Sequence, residues 1–463
     1  MRPPDRQTDA ATPPSDAAAP DAAPAVDAGE PRGPAPSWPP AEQTLSLPFR
    51  SAPLRAELTL APNPSQLDLH FNVDTTASFG GEIANMQGEL SRSIIPGLLA
   101  RVADTRVGVS RFADFPVQPF GMPSVPGTQS RADVPYALLC PVTASLARVT
   151  NALREMNNPL DNGADIPEAG AEALYQIATG VGLELGRQTS IAPFDPAKAA
   201  ANGGESDAVL GGVGFRATAL RVVVHVTDAP SHTPDEYAAL AIAPTHSLRE
   251  AATALGALGV RVLAINSAAS DDPEYSRVRE ELSALALATG AYAAPINGRC
   301  LTGVDASARP TYREQCPWVF DVAPDGSGLS DRIVDAVAGL LEDVEFSEVH
   351  AEAGSDPLGF IERIELAPVA QPAGVNAPAT SDRLPLDEPD GRADSYLAVT
   401  KRHRLGFAVY LSNQRIAPSD GLQAYRVSVR LVGDGVMLEE RVLAVRVDPT
   451  EQRADADDAG VSD

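Results

Sequence analysis

The middle of the chain alternates between short apolar runs and segments with the period of an amphipathic helix, from about residue 65 to residue 346. This alternation is typical of parallel βα units, in which each strand is followed by a helix that covers the sheet. The sequence therefore predicts an α/β domain with a doubly wound, mostly parallel sheet. The predicted strands are LDLHFNV (67–73), RVGVSRFA (106–113), LRVVVHVTDAP (220–230), VRVLAIN (260–266) and AYAAP (291–295).

The predicted helices of this region each place apolar side chains along one face. The apolar face of the first one consists of Ile83, Met86, Leu90, Ile94 and Leu98. Pro96 is expected to kink or end that helix, because proline lacks a backbone N–H. Further helices are predicted in TASLARVTNALREM, EAGAEALYQIATG, SLREAATALGALG, EYSRVREELSALALATG and LSDRIVDAVAGLLEDV. Gly180 closes the second of these as a plausible C-terminal cap.

Beyond about residue 347 the pattern changes to strict alternation, which is typical of strands with one buried and one solvated face. LGFAVYL, AYRVSVRLV and ERVLAVRV all alternate, and the intervening GDG predicts a hairpin turn. The early segment TLSLPFRSAPLRAELTL alternates in the same way. We therefore predict a smaller antiparallel β-sandwich over 347–448. Strands from 44–64 are expected to join it, so that the α/β domain of 65–346 is inserted within the sandwich.

The two ends of the chain lack a core-forming pattern. Residues 1–43 are rich in Pro, Ala and Asp, residues 449–463 are acidic, and both are predicted to be disordered. The start, MRPPDRQTDAATPP, shows no secretory signal, and no window is apolar enough to predict a transmembrane segment. Read literally, this favours the cytoplasm. Because a flexible leader commonly links a folded domain to an anchor, we expect an extracellular, periplasmic or cell-surface-tethered protein.

Composition narrows the range of partners. The 463 residues are 44% hydrophobic but only 5% aromatic, so the cores are expected to consist of Ala, Val and Leu. Lys and Arg number 36 against 62 Asp and Glu, a formal net charge of −26. Such a surface repels nucleic acid and anionic lipid and attracts cations. Nucleic acid is therefore excluded as the expected partner.

Cysteines carry little information about chemistry. Cys300 and Cys316 flank the polar loop LTGVDASARPTYREQ, and Cys140 stands alone. A disulfide that closes this loop would stabilise the fold by about 3 kcal/mol, and two free thiols are the alternative. The spacing of cysteines and histidines does not match a zinc site.

Candidate chemistry lies where predicted strands end. In LDLHFNVDTTASFGGEI the buried strand stops at Asp74, and the hydroxyls of Thr76 and Ser78 follow on a short turn. A second strand ends at Asp228 in VVVHVTDAPS. Ligands of open parallel sheets bind beyond the carboxyl ends of the strands, so these side chains are expected to share one crevice.

A third acidic loop, DNGADIPEAG, opens a helix and adds Asp165 and Glu168 to the same edge. Two carboxylates about 4 Å apart repel each other by about 4 kcal/mol at an effective dielectric constant of about 20. A bound cation removes this cost. Carboxylate and hydroxyl oxygens are ligands of hard ions, so the expected ion is Mg²⁺, with Mn²⁺ or Ca²⁺ as alternatives.

The order of these segments resembles the von Willebrand factor type A family, whose fold is a Rossmann-like doubly wound sheet. Asp74-x-Thr76-x-Ser78 is similar to the metal-ion-dependent adhesion site of that family, and the similarity is closest to the inserted domain of integrin β chains. RVGVSRFADFPVQPF, DIPEAGAEAL and VVVHVTDAPSH are similar to further segments of that domain.

The resemblance implies that Asp74, Thr76, Ser78, Glu168 and Asp228 surround the adhesion-site cation. It also implies reversible adhesion, in which the ion accepts a carboxylate from a protein or surface-polymer partner, and no catalysis.

The chain departs from the integrin pattern at two places. Gly81 and Glu82 stand where that pattern has paired acids for a neighbouring calcium site, and Gly163 stands in place of an asparagine. One principal metal site is therefore expected, with Asp165 and Glu82 as candidate ligands of a secondary site.

Two other functions are consistent with the same residues. A Mg²⁺-dependent phosphohydrolase would use Asp74 as its nucleophile, although such enzymes usually have a second acid where Thr76 stands. The chain could also be a structural module with this fold and no working metal site. We expect a binding protein rather than an enzyme.

Overall fold

The computed structural model describes residues 43–77, 80–124, 131–156, 160–185, 189–201, 204–268, 274–323, 327, 329–382 and 392–450. Residues 1–42 and 451–463, which contain nearly all of the predicted leader and tail, lie outside these ranges.

The strands are β1 (Gln43–Ser46), β2 (Leu54–Leu60), β3 (Gln66–Asp74), β4 (Asp104–Phe112), β5 (Ala137–Thr143), β6 (Leu183–Leu185), β7 (Thr189–Ile191), β8 (Ala208–Leu210), β9 (Phe215–Arg216), β10 (Leu220–Thr227), β11 (Val260–Asn266), β12 (Tyr292–Ala293), β13 (Arg299–Cys300), β14 (Arg309–Pro310), β15 (Cys316–Pro317), β16 (Val319–Asp321), β17 (Glu345–Ala353), β18 (Ile361–Leu366), β19 (Ala379–Ser381), β20 (Ser395–Thr400), β21 (Leu405–Leu411), β22 (Gln423–Gly433) and β23 (Val436–Val447).

The helices are α1 (Gly80–Glu89), α2 (Ile95–Leu99), α3 (Leu146–Met156), α4 (Gly170–Thr179), α5 (Pro196–Ala201), α6 (Pro234–Ala238), α7 (Leu248–Ala257), α8 (Tyr275–Ala288) and α9 (Leu329–Asp343). A π-helical segment, Leu90–Ile94, and a 3₁₀ segment, Val304–Ala306, complete them. Among the helices described, none is long and apolar enough to cross a membrane.

Six strands form the central sheet in the order β16-β11-β10-β3-β4-β5. Neighbours run parallel except β4 and β5, so β5 is an antiparallel edge strand. All eight residues of β10 are buried. Val222 joins an apolar cluster with α1, α3 and α9, whereas Val223 joins one with α4 and α7. Helices therefore cover both faces, and the chain is a mixed α/β protein with the mostly parallel sheet that the pattern predicts.

The prediction for the last strand of this sheet is wrong. Of the AYAAP segment, only Tyr292 and Ala293 are extended, and they pair with β15 in a separate two-stranded ribbon. The sixth strand is instead β16, which pairs with β11. Its Val319 and Phe320 are buried, whereas Tyr292 is exposed, and burial of apolar surface therefore favours β16 in the sheet.

The first predicted helix is divided into two. α1 ends at Glu89, the π-helical segment follows, and α2 begins at Ile95 with Pro96 in its first turn. Proline is tolerated there because N–H groups of the first turn have no partner within the helix. Ile94 and Leu98 are buried as expected, and Gly180 caps α4 in a left-handed conformation.

Two further sheets consist mainly of antiparallel strands that follow α9. One sheet has the order β1-β23-β22-β17-β20-β19 and the other the order β18-β21-β2. β1 pairs in parallel with β23, and β2 pairs with β21, so strands from both ends of the described chain share these sheets. Ala56, Leu58 and Leu60 of β2 are buried, and the residues between them are exposed.

Cys300 and Cys316 form a disulfide, with their Cα atoms 5.3 Å apart. The bond joins β13 to β15 and closes the loop that contains β14. Cys140 is buried and has a free thiol.

A buried ion pair lies at the end of the central sheet that is opposite to Asp74 and Asp228. Arg216 Nε donates to Asp68 Oδ1 at 2.8 Å, and its Nη1 donates to Asp104 Oδ1 at 2.7 Å. Asp68 and Arg216 are both almost completely buried. Removal of one partner leaves the other charge buried, which is strongly destabilising.

We predict that Asp68→Asn lowers the free energy of unfolding by about 3 kcal/mol in a urea titration. Asp207→Asn is the matched control, because Asp207 pairs with Arg106 through a largely exposed carboxylate. Its loss should cost less than about 1 kcal/mol. Equal effects of the two substitutions would contradict the structural importance of the buried pair.

Candidate functional site

The turn that follows β3 is organised by the carboxylate of Asp74. Its Oδ1 accepts hydrogen bonds from the backbone N–H of Thr76 at 3.0 Å and from the Thr76 hydroxyl at 2.7 Å. Its Oδ2 accepts one from the Thr227 hydroxyl at 2.9 Å. An aspartate that binds the N–H two residues further on forms an Asx-turn, so the D-x-T spacing ends the strand here. Asp74 is completely buried.

The end of β10 brings a second acid to this turn. β3 and β10 are parallel, with Val73 opposite Val226, so the residues that follow them meet at one edge. Asp228 is half-buried at this position. Burial, and next the charge of Asp228, raise the pKa of Asp74 to about 7. The two acids therefore interact electrostatically, as their positions at neighbouring strand ends predict.

Glu168 reaches the same place from the loop before α4. Its backbone N–H donates to the carbonyl of Pro230 at 2.9 Å, and its carbonyl accepts from the N–H of His232 at 3.0 Å. This short parallel bridge fixes Glu168 beside the segment after β10. Its side chain is buried, and Oε2 has no hydrogen-bond partner. Burial, and next the charge of Asp74, raise the pKa of Glu168 far above its usual range.

These acids border an open cavity of about 340 Å³. The residues that line it are Thr76, Ala77, Asn162, Gly163, Ala164, Asp165, Ile166, Glu168, Asp228 and Ala229. Asp74 does not line the cavity itself, but it is hydrogen-bonded to Thr76, which does. Gly163 has a φ of +65°, and a Cβ atom there would lie 3.1 Å from Oε1 of Glu168. Glycine therefore lets the loop pass close to the glutamate.

Of the other predicted site residues, the structure describes only the side chain of Asp165. Ser78 lies outside the described residues, and the side chain of Glu82 is likewise not described. Asp165 is exposed, and it lines the cavity but points Oδ1 toward His232, 3.3 Å from its Nε2.

A second cluster, of Asp114, Asp165 and His232, lies next to the cavity, with one ligand-type atom of each within 4.8 Å of the others. Asp114 accepts a hydrogen bond from the Tyr237 hydroxyl at 2.7 Å, while its Oδ2 has no hydrogen-bond partner. Burial raises the pKa of Asp114 well above its usual range.

Sequence reasoning did not single out Asp114 or His232. The signals were available, because Asp114 follows the end of β4 within two residues and His232 follows Asp228 within four. Both residues therefore lie near the carboxyl ends of strands of the central sheet, where ligands of such sheets bind.

The donor set around the cavity fits a hard divalent cation. Asp74, Glu168 and Asp228 supply carboxylate oxygens, and the Thr76 hydroxyl donates its own hydrogen to Asp74, so its lone pairs are directed elsewhere. Oxygen ligands of this kind suit Mg²⁺, Mn²⁺ or Ca²⁺. The buried, unpartnered Oε2 of Glu168 also favours a cation, because a buried acceptor without a partner is costly.

Comparison with known proteins gives no family assignment. No protein-family model matches the chain, and no curated protein matches it. Solved structures that are similar to the chain include the two described next, both at low sequence identity. The von Willebrand factor type A protein from Catenulispora acidiphila is 12% identical, with 88% of this chain and 72% of that one covered and a TM-score of 0.33.

The pilus adhesin SpaC from Lactobacillus rhamnosus GG, in its open conformation, is 11% identical with a TM-score of 0.31. The match covers 87% of this chain and 46% of the adhesin, so the chain spans less than half of that protein's length. Similarities at these TM-scores carry no argument about function.

We predict that the metal-free protein loses stability as the pH rises from about 4 to about 7. The pKa of Asp74 is raised from 3.8 to about 7 on folding, so the folded state binds more protons than the unfolded state in this interval. Thermal unfolding in a chelator, followed against pH, measures the effect.

Asp74→Asn should make that pH profile less steep, because the amide does not titrate, while Glu168 and Asp114 still contribute to the slope. A wild-type protein that gains stability over the same interval would contradict the buried acidic cluster.

Proposed function

We propose that this chain is a cation-dependent binding protein, in which a divalent ion held at the strand ends accepts a carboxylate from a partner. The observation that carries the proposal is the buried Oε2 of Glu168, which lacks a hydrogen-bond partner at the rim of a cavity shared with Asp228. A cation at this position would satisfy that oxygen and offset the charges of the neighbouring acids.

Four described side chains would hold the ion: Asp74, Thr76, Glu168 and Asp228. Ser78 joins this set through the resemblance to the adhesion site of integrin β chains. Mg²⁺ is the ion we propose first, since it retains several waters and is bound by few protein ligands. A retained water is also a position that a partner oxygen can take. Mn²⁺ and Ca²⁺ are the alternatives.

The surroundings of the cavity favour an anionic partner group only when the ion is present. The chain carries a net charge of −26, which repels a free carboxylate. Beside the acids, the rim contains the polar Thr76 and Asn162 as well as Ile166, which is 57% exposed. A carboxylate on a protein or a surface polymer therefore suits the site once the ion is bound.

The geometry favours binding over phosphoryl transfer. A nucleophilic aspartate must reach the phosphorus atom of its substrate, whereas Asp74 is completely buried behind Thr76. Thr76, at the position where phosphohydrolases usually have their acid, donates to Asp74 and is not an acid. We therefore propose no catalytic activity.

The proposed architecture follows from the same resemblance. Residues 65–346 would be a von Willebrand factor type A-like domain, closest to the inserted domain of integrin β chains, set within a β-sandwich of 44–64 and 347–448. We propose that the protein lies outside the cell or in the periplasm and is tethered through the leader. Its cavity would then be accessible to a partner.

We predict that Mg²⁺ or Mn²⁺ raises the thermal unfolding midpoint of the wild-type protein. A ligand present at about 100 times its Kd stabilises the folded state by about 2.7 kcal/mol. Asp228→Asn should remove most of this response, since it deletes one proposed ligand.

Asp420→Asn, which removes an exposed acid of the sandwich, is the matched control and should respond like the wild type. A full response in Asp228→Asn would contradict the proposed ligand set. A wild-type protein without any response would favour the structural module. Chelator-sensitive release of phosphate from simple esters, lost in Asp74→Asn, would favour the phosphohydrolase.

We also predict that partner binding requires both the ion and a carboxylate. Carboxylate-bearing beads should retain the wild-type protein in Mg²⁺, and chelator should release it. Beads that carry the corresponding amide serve as the control. Retention that persists in chelator, or equal retention on amide beads, would contradict recognition through the ion.

A further inference from the structure

Asp161 is a buried acid that none of the roles above uses. It is 1% exposed and lies at the start of the loop that carries Glu168. Its Oδ2 accepts a hydrogen bond from the Thr75 hydroxyl at 2.5 Å and forms an ion pair with Arg111 Nη1. Its Oδ1 accepts from Arg131 Nε at 2.7 Å. One carboxylate therefore connects the turn after β3, strand β4 and the segment before β5.

The backbone makes the same connection. The N–H of Asp161 donates to the carbonyl of Thr75 at 2.9 Å. The next two N–H groups, of Asn162 and Gly163, donate to the carboxylate of the buried Asp133 at 2.7 Å and 3.1 Å. The start of the Glu168 loop is thus held directly against the residue between Asp74 and Thr76.

Two guanidinium groups offset the charge of Asp161 in this buried position. A buried carboxylate is costly unless it is both paired and hydrogen-bonded, and Asp161 has both kinds of partner. Arg131 also donates through Nη2 to the carbonyl of Met156, at the end of α3, at 2.8 Å. The arrangement therefore fixes the loop to several rigid elements rather than to the turn alone.

We propose that Asp161 is a positioning residue that preforms the cation site, by holding the Glu168 loop against the Asp74 turn through Thr75, Arg111 and Arg131. This inference rests on the proposed function. The two halves of the site come from distant parts of the sequence, and residues that orient metal ligands contribute to affinity without touching the ion.

The test compares Asp161→Asn and Thr75→Val with the wild-type full chain. Mn²⁺ binding is followed by the loss of the free-ion signal in electron paramagnetic resonance, and the spectrum of bound Mn²⁺ reports on its coordination. Hydrogen exchange of the metal-free proteins, read over peptides that span residues 160–169, measures whether the loop is held. Asp68→Asn is the matched control, since it removes a buried, arginine-paired carboxylate from the opposite end of the sheet.

We expect Asp161→Asn to weaken Mn²⁺ binding by about tenfold or more, to broaden the bound-ion spectrum and to speed exchange of the loop. Thr75→Val should do the same to a smaller extent, and the double variant should lose less than the sum of the two. Asp68→Asn should destabilise the protein yet bind Mn²⁺ as the wild type does.

Two results would overturn the proposal: unchanged Mn²⁺ affinity in Asp161→Asn, or an equal loss in Asp68→Asn. A wild-type chain that binds no Mn²⁺ would overturn the cation site itself. In that case, faster loop exchange in Asp161→Asn would still support the positioning role, and unchanged exchange would overturn it.

Discussion

Mutual repulsion of buried carboxylates at one edge of the central sheet is the constraint to which the surrounding structure responds. Asp74, Glu168 and Asp228 come from three separate segments, and burial together with neighbouring charge raises the pKa of the first two. In general, two like charges about 4 Å apart repel each other by about 4 kcal/mol at an effective dielectric constant of about 20. Such a cluster persists only where hydrogen bonds hold it in place and protons or cations share its charge.

The hydrogen bonds that hold the cluster come from residues that are near in the sequence and from residues that are far away in it. Thr76 binds Asp74 within the same turn, whereas Thr227 binds it from the neighbouring strand. Glu168 is held through its backbone, by the bridge to the segment after β10. Its buried Oε2 has no hydrogen-bond partner among the described residues, so a cation would act on this oxygen.

Much of the central sheet could be predicted from sequence. β10 and β11 are nearly continuous apolar runs, which is typical of strands covered by helices on both faces. β3 instead alternates apolar residues with Asp68, His70 and Asn72, which are buried as well. The edge of the sheet could not be predicted as well. β16 has three residues and gives too short a pattern to distinguish from AYAAP, and its place is decided by the burial of Val319 and Phe320 in the assembled core.

The part of the candidate site that lies at strand ends could be predicted from the sequence. Asp74 and Asp228 could be brought together from topology alone, while their role as cation ligands stays a prediction. Asp161 could not, since its partners Arg111 and Arg131 lie about 50 and 30 residues away and no local pattern connects them. Contacts between loops depend on the path of the whole chain, which periodicity does not encode.

The pairing of β1 with β23 has a mechanical consequence. The strands are parallel, with Gln43 opposite Leu443 and Ser46 opposite Arg446. Tension between residue 43 and residue 450 would therefore pull the two strands along their length in opposite directions. All of their inter-strand hydrogen bonds would share that load at once, whereas peeling would break them one after another. The parallel pairing of β1 with β23 is thus arranged to resist stretching between the two ends of the described chain.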